Sequence, residues 1–153
     1  MSDNKGVQNI IEKSFQDPIS ELLLKRSSLT KAQFETLIID MLIDSMSDEN
    51  VSFKEKTAFR TRKVSRGSFS RTLGQARTNV ISSIYTIILL SYIGVFESSP
   101  FEEYQMLTEK LREYLTVMEN SDASQKKQHL KRIESELLEG IDSLSKPTSI
   151  KIM

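Results

Sequence analysis

One apolar stripe constrains this chain more than any other feature. Phe69, Leu73, Ala76, Val80, Ile84 and Ile87 recur at intervals of three and four residues, the spacing that lines up one side of an α-helix. No segment of useful length alternates apolar and polar residues with period two, so there is no material for a sheet. There is no internal repeat. The three prolines stand at expected helix starts or beyond a helix end. The expected fold class is all-α, with six or seven helices.

The remaining elements follow from caps and shorter stripes. Residues 1–16 are polar with a small apolar patch (Val7, Ile10, Ile11, Phe15), which gives a first helix. Asp17-Pro18 restarts the chain, Pro being suited to the first helical position, and Leu22 to Leu24 supply the apolar side of a second. Thr30 and Gln33 have capping-box spacing ahead of Phe34, Leu37, Ile38, Met41, Leu42 and Met46. Ser52 and Glu55 form another such pair, opening a short helix to about Arg62. The long apolar helix then continues to about residue 94, where Gly94 is a suitable stop. Ser99-Pro100-Phe101-Glu102 starts the next helix, and residues 100–145 are expected to form a C-terminal helical hairpin. With 153 residues, one domain with a sizeable core is the expectation.

The charge is unevenly placed. Lysine plus arginine number 21 and aspartate plus glutamate 21, so the net charge is zero. Between Lys54 and Arg77, however, eight bases face a single acid, Glu55, a local balance of +7 that leaves −7 for the rest. Such an island can present a footprint for phosphate, or can neutralise acidic neighbours within the fold.

The order of residues inside the island favours the first alternative. A helix that reads DNA needs an apolar inner side for anchorage and small or polar outer residues for the base edges. With about 100° per residue, Phe69, Leu73, Ala76 and Val80 cluster on one side. Gly67, Ser68, Arg71, Gly74, Gln75 and Thr78 lie on the other. Arginine pairs bidentately with guanine and glutamine with adenine. Ser65 is a good N-cap, and the free N–H groups after it suit a phosphate. Gly74 in mid-helix points to a close approach or a bend.

Val64-Ser-Arg-Gly-Ser-Phe-Ser-Arg-Thr-Leu73 resembles the V-S-x-x-T-[VF]-x-R-x-L turn and recognition helix of helix-turn-helix DNA-binding proteins. Val64 and Ser65 match the turn, Phe69 and Leu73 the inner positions, and Arg71 an outward one. The resemblance covers about residues 52–77. The run on through Ile81-Ser-Ser-Ile-Tyr-Thr is similar to small archaeal all-helical proteins. The segment before the turn, Ala58-Phe-Arg-Thr-Arg-Lys63, departs from the usual Ala-x-x-x-Gly and leaves the length of the turn open. The resemblance implies a transcriptional regulator bound to double-stranded DNA. Together with the outward face and the basic run, this reading places Ser68, Arg71, Gln75 and Thr78 at base edges and Arg60, Arg62, Lys63, Ser65, Arg66 and Arg77 on phosphates. A homodimer is a hypothesis of the same reading, since such proteins commonly read two half-sites.

Other chemistries find little support. Without cysteine there is no disulfide, thiol catalysis or thiolate metal site. The single histidine, His129, lies beside the stripe of the last helix and is expected to be structural. No nucleophile elbow, phosphate loop or dinucleotide fingerprint occurs, so no enzyme, cofactor or metal is expected. Asp40, Asp44 and Asp48 recur every four residues and are expected on a solvated surface. Val80–Phe96 is 17 residues without a charge, at the lower edge of a membrane span. Its hydroxyl-bearing residues favour a central helix buried by its neighbours, or partly by a dimer partner. The first residues lack the layout of a signal peptide, and the expected compartment is the cytoplasm. The alternative function is a helical interaction module whose basic segment docks an acidic protein partner. RNA is a third option, weakened by the lack of interleaved aromatics for stacking.

Overall fold

Local capping chemistry sets most helix starts. In the computed structural model, which describes residues 2–46, 51–96 and 100–145, Asp17 accepts the Ile19 N–H at 3.0 Å. It thereby starts α2 (Pro18–Arg26) directly after α1 (Ser2–Gln16). Thr30 and Gln33 exchange reciprocal bonds of 3.1 and 3.2 Å ahead of α3 (Lys31–Met46). The Ser52–Glu55 capping box opens α4, Phe53–Lys56. α5 runs from Arg66 to Tyr92 behind Ser65, whose Oγ accepts the Ser68 N–H at 3.1 Å. α6 (Pro100–Glu119) and α7 (Ala123–Ser145) complete seven α-helices, with no strand among the described residues. The fold is all-α. Ser99, expected as the cap of α6, and Asp48 lie outside the described residues.

The chain divides into two compact units, residues 1–83 and 84–153, with α5 belonging in part to each. The first unit is built on Val7 and Ile11 of α1, Ile39 and Ile43 of α3, and Phe69 and Leu73 of α5, all buried. Phe53 of α4 meets the Phe69 ring at 5.9 Å between centroids. Aromatic pairs at this separation add to what area alone provides. In the second unit α6 and α7 pack on each other, as expected of a hairpin, burying Leu111, Met118, Ile133 and Leu137. Tyr114 donates to Glu136 at 2.6 Å, and Lys110 Nζ lies 3.2 Å from the same carboxylate.

Three expectations need correction. The helix expected from Ser52 to about Arg62 is only α4 followed by a 3-10 turn, Thr57–Phe59, with Arg60 extended. The Arg60 N–H still closes the 3-10 turn on the Thr57 carbonyl, but the Arg60 side chain and the Thr61 N–H bond across to α3, and the helix goes no further. Asp40 is not solvated: it is 3% exposed and lies between two cations. Lastly, the stripe of α5 is buried at Phe69, Leu73 and Ala76 only. Beyond Thr78 the helix carries large apolar side chains on an exposed face instead of being covered on all sides.

Candidate nucleic-acid interface

The segment from α4 into α5 is fastened to α3 by charged groups from both of its ends. Lys56, 3% exposed, donates from Nζ to Asp40 at 2.8 Å and to Asp44 at 2.6 Å. Burial alone acts to lower its pKa, but the two carboxylates outweigh it and hold the ammonium above the ordinary lysine range. Arg77 Nη2, from the far side of the turn, lies 2.6 Å from the other oxygen of Asp40. Between them Arg60 Nη1 donates to the Ala32 carbonyl and the Thr36 hydroxyl and stands 3.4 Å from Glu35. The N–H and hydroxyl of Thr61 both donate to Glu35. Asp40 is thus shared by two cations whose positions lie on either side of residues 60–65.

This arrangement sorts the eight bases of the island. Lys56 is buried, the Arg60 side chain is largely covered, and both are committed to α3. Arg60 was expected on phosphate; its side chain is 8% exposed and is engaged by α3 instead. Arg77 is intermediate, with a half-exposed side chain held at one nitrogen and other N–H groups free to face solvent. Lys54, Arg62, Lys63, Arg66 and Arg71 are exposed. None of these five is paired with a carboxylate among the described residues.

The expected base-edge residues fall on one face of α5. Arg71, Gln75 and Thr78 are exposed and Ser68 half-buried, at spacings of three and four that bring helical side chains together. Directly behind them Phe69, Leu73 and Ala76 are at most 1% exposed. Ser65 serves as the N-cap and is exposed. Gly67 and Gly74 have nothing within 4 Å of an added Cβ, so neither is required by packing within the protein. Packing among the described residues therefore places no demand for glycine at position 74.

Sequence reasoning missed Asp40, Glu35 and Thr36 as the residues that hold the turn. The only signal available was the four-residue spacing of Asp40 and Asp44, which fits a solvated face equally well. No protein-family model, curated protein or solved structure matches the chain.

Proposed function

We propose that this protein binds double-stranded DNA, in the cytoplasm and as a transcriptional regulator, by laying the first four turns of α5 in the major groove. The carrying observation is the face that holds Arg71, Gln75 and Thr78 outward, flanked by Arg62, Lys63 and Arg66, which have no carboxylate partner among the described residues. A polyanion supplies what these cations lack, and counterion release makes such contacts favourable in proportion to their number. Arg71 and Gln75 carry the bidentate groups suited to base edges, with Ser68 and Thr78 alongside. Ser65, Arg62, Lys63 and Arg66 are assigned to phosphates, and Arg77 through the edge of its guanidinium not held by Asp40. The buried Phe69 and Leu73 give the helix the anchorage that insertion into a groove requires.

The test is fluorescence anisotropy on a random-sequence duplex across about 50–200 mM salt, where several phosphate contacts change affinity by orders of magnitude. A steep salt slope is expected, lost when Arg62, Arg66 and Arg71 are replaced together by alanine. Arg71→Ala alone should cost about 1–3 kcal/mol and relax sequence preference, while Lys63→Ala weakens all duplexes alike and flattens the slope by about one. Binding that is indifferent to all of these substitutions refutes the assignment.

A further inference from the structure

Past Thr78 the outward face of α5 changes character. Ile81, Tyr85, Ile88 and Tyr92 succeed one another at intervals of four, three and four, and are 52%, 68%, 49% and 70% exposed. Ile84 and Leu89 flank this line at 45% and 58% exposed. At about 100° per residue the six span an arc of roughly 140°, centred about 130° from Phe69, with Ile84 at the edge that adjoins the Leu73 row. No residue from Asn79 to Phe96 is charged. Scattered exposed apolar residues are ordinary, but a contiguous patch of this kind marks an interaction site.

We infer that this face pairs with the same face of a second copy of the chain. Four things identify the occupant. A line with alternating intervals of four and three is the seam by which one helix meets another, so the face is shaped for a helix and not for a loop or a small molecule. The surface is electrically blank, so an acidic or basic partner gains nothing there, whereas an identical blank face is complementary to it about a two-fold axis. Two serine hydroxyls on this stretch already have acceptors. The hydroxyls of Ser83 and Ser91 donate to the carbonyl oxygens of Asn79 and Ile87, each at 2.8 Å, and such satisfied groups can be buried at little cost.

Area agrees with this. Taken together, the six exposures amount to between three and four whole side chains. At roughly 170 Å² for a large apolar side chain, each copy contributes about 600 Å². Two copies then bury about 1,200 Å², the lower end of the range for specific, stable interfaces.

A membrane fits less well. Among the described residues no helix is long and apolar enough to cross one. A helix lying on a bilayer surface also carries lysine and arginine opposite its apolar side, and this stretch has neither. The inference does not depend on DNA, because the paired face begins where the polar face of α5 ends.

The experiment is sedimentation equilibrium of the full chain, without nucleic acid, over about 0.1–100 µM, within the span of affinities that interfaces of this size show. Twice the monomer mass is expected. The variant carrying Tyr85→Glu and Ile88→Glu should dissociate at least about a hundredfold more readily, as facing like charges cost several kcal/mol. Both positions are exposed, so its far-UV circular dichroism should keep the helical content of the isolated chain. Because the chain has no native cysteine, Ile88→Cys offers a second readout: mild oxidation should yield a disulfide-linked dimer, while Lys127→Cys on α7 should not. A monomer at every concentration overturns the inference, as does a dimer that survives the double substitution or an assembly larger than two.

Discussion

Replacing Lys56 with methionine removes an ammonium from the interior of the first unit while keeping most of its aliphatic stem. The Asp40 carboxylate, with a side chain 4% exposed, is then left with Arg77 alone, and that side chain is half in water. Breaking a buried pair by deleting one partner costs about 3–5 kcal/mol. The lower end, about 3 kcal/mol, applies here because Arg77 remains and because the half-exposed Asp44 can return to water. Asp40→Leu should cost a similar amount, by leaving the buried Lys56 ammonium with the half-exposed Asp44 as its one carboxylate. The two together should cost little more than either alone, since the double variant leaves no buried charge, only the half-exposed Arg77 and Asp44, which water can solvate. The coupling should therefore be about 2–3 kcal/mol, near the upper end of measured couplings between contacting residues. Urea unfolding followed by far-UV circular dichroism measures the cycle, and hydrogen exchange of α3 peptides reports the first unit by itself. If Lys56→Met shifts stability by less than about 0.5 kcal/mol, the range of ordinary surface changes, or if the two substitutions add, the reasoning fails. The cluster would then be screened like surface pairs.

Two further outcomes are expected. The Lys56 pKa is raised in the folded protein, so its contribution is complete below the unfolded value of about 10.4 and is lost as pH rises through the higher folded value; wild-type stability should fall in that alkaline window, and the difference from Lys56→Met should shrink with it. An unchanged difference across the window would deny the linkage. Gly74→Ala should raise stability by about 1 kcal/mol, since an added Cβ meets open space, and should at the same time weaken duplex binding in the anisotropy assay. A variant that gains stability and binds duplex undiminished removes Gly74 from the interface.

What could be read from the sequence is what local chemistry decides. The caps at Asp17, Thr30, Ser52 and Ser65 involve partners two or three residues away, so their spacing is visible in the chain. The buried run Phe69, Leu73 and Ala76 and the α6–α7 hairpin were legible for the same reason, each being a helical period. The pairing of Asp40 was not. Its partners Lys56 and Arg77 lie 16 and 37 positions away, and a four-residue spacing of acids is the same whether a carboxylate faces water or a buried ammonium. The inward turn of Arg60 was illegible likewise, because a cation in a basic run gives no local sign of its direction. Hydrophobicity at Ile84–Tyr92 indicates a surface that favours leaving water, without indicating whether the same chain covers it. For the candidate interface, the periodicity of α5 supplied Arg71, Gln75 and Thr78. Which neighbouring cations remain unpaired needed the fold.

The shared use of Asp40 by Lys56 and Arg77 also bears on how the turn between them moves. Residues 60–65 cannot pivot about either end without separating a charged contact of 2.6–2.8 Å, and Arg60 and Thr61 hold the start of the turn to Glu35 as well. The turn and the first residues of α5 are therefore preorganised. The entropy of ordering them is charged to folding and not to association, so a ligand arriving at this surface meets side chains on a backbone already fixed. Association should then be governed by encounter and desolvation, with little of the slow rearrangement that a loosely held turn would impose.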